Sequence, residues 1–454
     1  MFNKRALRRL APDWLINFYH LSRGVLACYY YGNPSKSLRV IGVTGTNGKT
    51  TTCHLITSVL EADGRKVGMA TTVSFKIGRE LTENNLKMTT ASPFLIQKLL
   101  RDMVKAGIKD VVLEVTSIGL VQHRLWGINF QTAVFTNLTH DHLDYHGSME
   151  RYRRAKEQLF SRRPTLSVIN VDDPAAEHFI RHTANKTLTY SVKNRADLMA
   201  KKIYARPGGT DFVLLAGSRQ ATINLPLPGT FNVYNALAAA AVGLGLEVPL
   251  ERVVDGLRQV QPVPGRMEVI EAGQAFTAIV DYAHTPDAML KVYETVKPTV
   301  RGKLIVVFGA TGRRDKAKRP ILGALAGKFA DYVVLTTDDP YDEDPHAIID
   351  EVAEGVPRGR PRRGGRPRIN RESEIPIKYK DSGEDIWWWR LPDRREAIAK
   401  ACELARPQDV ILVLGKGAEK VMVVGDPKSS TGYKFIPWSD RQVLEELLVK
   451  YQIG

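Results

Sequence analysis

Gly45-Thr-Asn-Gly-Lys-Thr-Thr51 places two glycines, a lysine and paired hydroxyls between a short apolar β-rich run and a helix-like segment at His54–Leu60. Glycines let backbone N–H groups converge on phosphate oxygens, the helix N-terminus adds positive dipole, and Lys49 adds a point charge. The hydroxyl of Thr50 or Thr51 can join Mg²⁺. Val43 stands where the generic G-x-x-x-x-G-K-[ST] loop has its first glycine, and Gly45 supplies that flexibility instead. Gly45, Thr46, Asn47, Gly48, Lys49, Thr50 and Thr51 are therefore expected to bind a nucleoside triphosphate. Glu114 ends a hydrophobic run, and His142 lies just beyond another, in Asn137-Leu-Thr-His-Asp-His-Leu-Asp144. Ligands collect at the carboxyl ends of strands in open α/β sheets, so both side chains should face the loop as Mg²⁺ ligands. Singly, Glu114 would read as an ordinary polar residue and His142 as a cap; their joint placement favours ligation.

The elements that position these residues alternate. Val111–Val115, Thr132–Thr136 and Leu166–Asn170 read as buried parallel strands, with helix-period segments at Pro93–Ala106 and Met149–Ser161. That pattern predicts an α/β protein with a central doubly wound ATP-binding domain carrying a P-loop. An Ala-rich helix over Ala236–Leu244 and another ending near Val260 lead to the turn-rich Gln261-Pro-Val-Pro-Gly265, a domain boundary. Strand-like runs at Phe276–Asp281, Leu304–Phe308, Tyr332–Thr336 and Val410–Leu414 then predict a C-terminal Rossmann-like α/β domain. The expected organisation is a short N-terminal helical segment over 1–37, a central domain over 38–262 and a C-terminal domain over 263–454.

A chain of 454 residues with 43% hydrophobic and 25% charged residues has the composition of a soluble globular protein. Cys28, Cys53 and Cys402 share no metal-like spacing and form no even framework, which suits a reducing cytoplasm. The net charge of +16 is partly local: Pro357–Arg371 carries seven arginines with Pro and Gly and cannot bury a core. The region about 357–385 is expected to be a disordered insertion, and no nucleic acid is expected as a partner. Lys4, Arg5, Arg8 and Arg9 precede an aromatic stretch, Trp14–Tyr31, that Asn17, His20 and Arg23 interrupt. It is a poor membrane span. It reads either as a helix packed on the ATP domain or as an interfacial helix against anionic lipid.

The loop, Leu113-Glu-Val-Thr-Ser117, Gln122-His-Arg124, Thr136–Gly147, Tyr152-Arg-Arg-Ala-Lys156, Gly229–Asn235, Pro264–Glu268, Asp281–Pro286, Arg314–Pro320, Asp393–Ala397 and Gly415-Lys-Gly417 together resemble the Mur ligase family. Within it the chain is most similar to the MurE type, the UDP-N-acetylmuramoyl-tripeptide synthetases, over about residues 38–450. The resemblance implies ATP-dependent amide-bond formation through an acyl phosphate, with two Mg²⁺ ions, a muramyl-peptide acceptor and an amino acid, in the cytoplasm. It makes Lys49, Lys156 and Lys318 catalytic, with Lys156 carbamylated to complete a second metal site beside Thr50, Glu114 and His142. Asn235 matches an adenine contact, and Arg266 and Asp281 match phosphate and ribose contacts. Thr89, Thr90, Ser117, Arg124, Arg314, Asp338, Asp339, Tyr341 and Glu419 fall at substrate positions.

Three departures bear on the substrate. With the first strand expected from Leu38, the family's N-terminal UDP-binding domain is expected to be missing or supplied by another chain. Asp338-Asp-Pro-Tyr341 replaces Asp-Asn-Pro-Arg, removing a guanidinium that would clamp a distal carboxylate. Gly415-Lys-Gly-Ala-Glu419 lacks the family's histidine, and Ile118 replaces another. A diamino acid such as lysine is therefore expected over diaminopimelate. The alternatives are a Mur-type ligase with a lipid-linked or non-muramyl acceptor, and a non-catalytic ATP-binding cell-wall scaffold; the expected location is cytoplasmic, with peripheral contact at the inner membrane face.

Overall fold

Val40, Ile41 and Val43 are β-branched, and every residue of Arg39–Thr44 after the first is buried. A strand buried on both faces belongs inside a parallel sheet. In the computed structural model, which describes residues 12–451 apart from 85, 87, 183, 184, 207, 358–386 and 430, this strand lies near the centre of an eleven-stranded sheet. The chain divides into two units, Met1–Pro262 and Val263–Gly454.

The strands of the first unit are β1 (Arg39–Thr44), β2 (Val67–Ala70), β3 (Ser74–Ile77), β4 (Glu80–Glu83), β5 (Asp110–Glu114), β6 (Phe130–Phe135), β7 (Leu166–Asn170), β8 (Lys186–Ser191), β9 (Leu198–Arg206), β10 (Gly209–Ala216) and β11 (Arg219–Leu225). Their order is β11-β10-β9-β8-β7-β6-β1-β5-β2-β3-β4. The helices are α1 (Asp13–Tyr30), α2 (Lys49–Ala62), α3 (Pro93–Lys105), α4 (Ser117–Val121), α5 (Leu143–His146), α6 (Met149–Glu157), α7 (Ala176–Ile180), α8 (Thr230–Gly245) and α9 (Leu250–Gln259). β1 pairs in parallel with β5 and β6, with Val43 opposite Glu114. One core joins α2, α8 and α9 to the sheet through Ile56, Val59, Ala240 and Val253. A second joins α3 through Ile96, Leu100 and Met103 to Val111 and Leu113. Helices thus cover both faces, as a doubly wound sheet requires. The antiparallel wings, β3–β4 and β9–β11, extend beyond the parallel strands read from the sequence.

The second unit holds β12 (Glu268–Ile270), β13 (Thr277–Asp281), β14 (Leu304–Phe308), β15 (Tyr332–Leu335), β16 (Trp388–Arg390) and β17 (Val410–Leu414), ordered β12-β13-β17-β14-β15-β16. All but β12 run parallel. A separate hairpin joins β18 (Val421–Gly425) to β19 (Tyr433–Pro437). Its helices are α10 (Pro286–Val296), α11 (Lys318–Phe329), α12 (Pro345–Ala353), α13 (Arg394–Leu404) and α14 (Asp440–Leu448). Trp387 is buried and leads into β16, which adds to β15. The expected arginine-rich insertion lies, after Pro357, outside the described residues.

Candidate active site

The turn between β1 and α2 is held open by hydrogen bonds from the loop after β6. The carbonyl of Asn47 accepts from Thr136 Oγ1 at 2.7 Å and Asn137 Nδ2 at 3.0 Å, while its N–H donates to Asn137 Oδ1 at 2.9 Å. Gly48, at φ +82°, caps α2 in the left-handed region, and a Cβ there would collide with Asn235 Oδ1. Asn235, buried on α8, also accepts from Thr52 Oγ1 at 3.2 Å. Lys49 Nζ donates to Thr46 O at 2.7 Å, folding its ammonium back over the turn.

Glu114 stands at the carboxyl end of β5, buried, and gathers three donors on one oxygen. Thr50 Oγ1 lies 3.0 Å from Oε2, Thr72 N 2.8 Å and Thr72 Oγ1 3.0 Å. The Thr72 hydroxyl is also 2.9 Å from Thr89 Oγ1. Next to this cluster, Arg124 Nη1 donates to Thr90 O at 2.7 Å, and Thr90 Oγ1 lies 2.9 Å from Thr116 Oγ1. Ser117, the first residue of α4, places its Oγ 2.9 Å from His146 Nε2. Burial, then the charge of Lys156, pushes His146 down to about 4, so its ring is neutral near pH 7.

Lys156, on the inner face of α6, is fully enclosed and donates to Gly45 O at 2.7 Å. Its ammonium sits 4.4 Å from the centre of the Tyr152 ring. Burial first, and the charge of Lys49 second, hold its amine well below the usual lysine range, against the opposing pull of Asp141. Tyr152 also lies 3.2 Å from Thr46 Oγ1 and packs its ring 6.2 Å from His142, which is left-handed at φ +53° and begins α5. The loop, Glu114, His142, Lys156, Asn235 and Thr89, Thr90, Ser117 and Arg124 are thus positioned around the carboxyl ends of β1, β5 and β6. Tyr152 and His146 lie within the sequence motifs but carry no expected role there, and Thr72 lies in none of them.

In the second unit, Arg266 lies 4.3 Å over the ring of Tyr282. Asp281 accepts from Met267 N and Ala283 N, each at 2.7 Å, while burial raises its pKa against Arg266. Gly417 packs on Tyr282. The preceding Lys416 is the hub of a buried cluster. Its Nζ lies 2.8 Å from Asp339 Oδ1, 2.6 Å from Glu419 Oε2 and 3.8 Å from Asp338 Oδ1. Burial pulls Lys416 down, but the three carboxylates outweigh it and hold the ammonium charged. Asp339 Oδ1 also accepts from Val423 N at 2.8 Å. Tyr341, left-handed at φ +56°, meets Tyr433 edge-on at 5.1 Å, and Arg313, ion-paired with Asp342, lies 5.0 Å from the Tyr433 ring. Arg314 is close enough to Tyr341 to influence its phenol, and buried Lys318 opens α11.

Among the described residues, no three His, Cys, Asp or Glu side chains converge as a complete metal site. The donors fit a metal that borrows phosphate oxygens instead: Glu114 brings a carboxylate and Thr50 a hydroxyl to the mouth of the anion-binding turn.

A profile of the Mur ligase middle domain matches residues 43–243, and one of the Mur ligase glutamate ligase domain matches residues 265–417. The chain belongs to the Mur ligase family. It is 39% identical over 422 residues to a UDP-N-acetylmuramoyl-L-alanyl-D-glutamate–2,6-diaminopimelate ligase of Bacillus cereus, covering 91% of this chain and 80% of that one. A UDP-N-acetylmuramyl-tripeptide synthetase of a Roseiflexus species is 40% identical over 442 residues, covering 93% and 81%. A solved diaminopimelate-adding ligase superposes with a TM-score of 0.59 at 33% identity, covering 91% of this chain and 78% of that one. A folylpolyglutamate synthase of Mycobacterium tuberculosis, solved with ADP and AMPPCP, shares the fold at a TM-score of 0.67 and 19% identity, covering 87% and 92%. As a Mur ligase the protein forms carbon–nitrogen bonds in peptidoglycan precursor synthesis, and the family uses ATP with Mg²⁺. No helix among the described residues is long and apolar enough to cross a membrane.

Proposed function

We propose that this Mur ligase joins a diamino acid such as lysine to the peptide carboxylate of a muramyl-peptide acceptor, through an acyl phosphate. The observation that carries the ATP half is the buried Lys156 amine, 2.7 Å from Gly45 O, at the base of a turn flanked by Lys49, Thr50 and Glu114. An acceptor carboxylate oxygen attacks the γ-phosphorus of ATP, the bond to the β-phosphate oxygen breaks, and ADP departs. The amine nitrogen then attacks the acyl carbon, the tetrahedral intermediate expels phosphate, and the ammonium proton is lost. Lys49 and the α2 N-terminus offset charge on the transferred phosphoryl group. Mg²⁺, as two ions, would be held by Thr50, Glu114, His142 and a Lys156 carbamate, and would neutralise phosphate charge. Burial favours the uncharged form of the enclosed Lys156 amine, the form that condenses with CO₂, which supports carbamylation.

Thr89, Thr90, Ser117 and Arg124 would hold the acceptor. Asn235 in the first unit matches an adenine contact; in the second unit Arg266 and Asp281 match nucleotide positions, Lys318 an acyl-phosphate position and Arg314 a substrate position. Tyr341 presents a phenol where a guanidinium would clamp a distal carboxylate. Asp338, Asp339 and Glu419 share one ammonium, leaving the neighbourhood acidic and suited to the terminal amine of lysine. Diaminopimelate is the second reading. The Bacillus cereus relative and the solved ligase at 33% identity are named for it, and Arg313, beside Tyr433, supplies a guanidinium close by. An ATP-consumption screen pairing UDP-linked and lipid-linked muropeptides with amines, read by product mass, separates these. Turnover with lysine well above diaminopimelate supports the first; the reverse overturns it. The reaction belongs in the cytoplasm, with the protein peripheral to the inner membrane face.

A further inference from the structure

Helix α1 has one face anchored and one face bare. On the anchored face Gly24, Ala27 and Cys28 are buried; a Cβ at Gly24 would collide with His123 O and Trp126 Cβ. Asn17 Oδ1 lies 2.9 Å from His123 Nε2, and α1 packs along α3. At about 100° per residue, Trp14, Phe18, Tyr29, Leu26, Tyr19 and Tyr30 fill one continuous arc opposite that anchor. Trp14 is 70% exposed, Phe18 62%, Leu26 61%, Tyr29 73% and Tyr30 77%. Ser22, within the arc, turns its hydroxyl to Tyr19 O at 3.0 Å and so presents little polarity. A contiguous apolar patch of this kind on a soluble protein marks an interaction site.

The composition and charge around it select the partner. Tyr and Trp, each apolar with a polar tip, suit the headgroup level of a bilayer, and the cations that border them select an anionic lipid surface. Phe94 of α3 lies 6.4 Å from Tyr30 and extends the patch. Along the same stripe of α3 follow Lys98, Arg101 and Lys105, all exposed, with Arg101 donating to Tyr31 O at 3.2 Å. Lys98 has a loose pairing with Asp102 at 3.7 Å; the sequence supplies four more cations at Lys4, Arg5, Arg8 and Arg9 just ahead of the helix. An aromatic face bordered by cations matches an anionic lipid surface.

We propose that the outward face of α1, with the cationic stripe of α3, seats this protein on membranes carrying anionic phospholipid headgroups, with the helix lying in the interfacial plane. The surface is independent of which acceptor or amine the ligase uses. The test is co-sedimentation of the full chain with vesicles of phosphatidylcholine alone, or with about one-third phosphatidylglycerol. Binding is expected to the anionic vesicles only and to weaken as salt is raised. Trp14→Ser with Phe18→Ser and Tyr29→Ser, or separately Lys98→Glu with Lys105→Glu, should each lower partitioning at least tenfold. Thermal midpoints report folding, and the charge-reversal pair decides if the triple variant misfolds. Wild-type protein that stays in the supernatant overturns the proposal. So does binding that neither set of substitutions alters, or a dimer dispersed by the triple substitution without vesicle binding, which would assign the face to a second copy.

Discussion

The amine of Lys156 rests 2.7 Å from the carbonyl of Gly45, so a buried lysine touches the turn between β1 and α2 from beneath while Lys49 folds back onto Thr46 O. Two like charges share one loop, and burial favours losing the proton on the enclosed one. Lys156→Met should abolish turnover yet leave the thermal midpoint equal or higher, because it removes a desolvated amine. ¹³C NMR with labelled bicarbonate should show a carbamate signal in the parent and none in the variant. An active variant would end the proposed role.

Glu114 collects Thr50 and both polar groups of Thr72 on a single oxygen, leaving its charge directed at the turn. Glu114→Gln should lower kcat by about 10²–10³, or roughly 3–4 kcal/mol of transition-state stabilisation. A Mg²⁺ titration should move to higher concentration; an unchanged titration would remove Glu114 from the metal site.

His146 is held neutral down to about pH 4, whereas an unfolded histidine titrates near pH 6.5. Between those values the unfolded chain binds the extra proton, so stability falls as pH drops through the window. His146→Phe should flatten that fall in denaturant melts taken from pH 6.5 to 4. The same substitution loses the contact to Ser117, so acceptor KM should rise more than kcat falls.

Tyr341→Arg should restore a guanidinium fork in the amine region. A charged hydrogen-bonded contact of about 1.5–3 kcal/mol predicts a ten- to hundredfold shift in kcat/KM towards diaminopimelate over lysine. Competition of the two amines, read by mass spectrometry, measures it. No shift would place the amine elsewhere.

Arg394 is fully buried with Asp440, bonded through Nε and Nη2 at 2.7 Å each, and also ties down Leu414 O and Thr337 O. Arg394→Met should destabilise the second unit by about 3–5 kcal/mol, because it strands a buried carboxylate. Arg394→Met with Asp440→Leu should recover much of the loss in denaturant midpoints.

The parallel core was legible because its strands are continuous β-branched runs: Leu166–Asn170, Leu304–Phe308 and Val410–Leu414 are strands over those spans. The wings were not. β9 buries Leu198 and Ala200 but exposes Lys201, Lys202, Tyr204 and Ala205, a run without a period-2 apolar pattern that sequence reads as surface. At the candidate site, residue types suited to phosphate announce themselves by type and spacing, as Lys49 and Thr50 do after two glycines. Thr72, His146 and Tyr152 act through other side chains, and nothing in their spacing reveals which partner they meet. Asp339, expected at a substrate position, has one carboxylate oxygen engaged by Lys416 Nζ and Val423 N, partners its place in the sequence does not reveal.

The shared ammonium of Lys416 separates two jobs that adjacent residues might otherwise confound. Asp338, Asp339 and Glu419 are fastened to one strut, so altering any of them disturbs the framework between the segments after β15 and β17. Tyr341, one proline further on, hangs outside that strut against Tyr433. Under the proposed amine assignment, substitution at position 341 and its aromatic neighbour can retune amine choice while the Lys416 strut keeps its contacts.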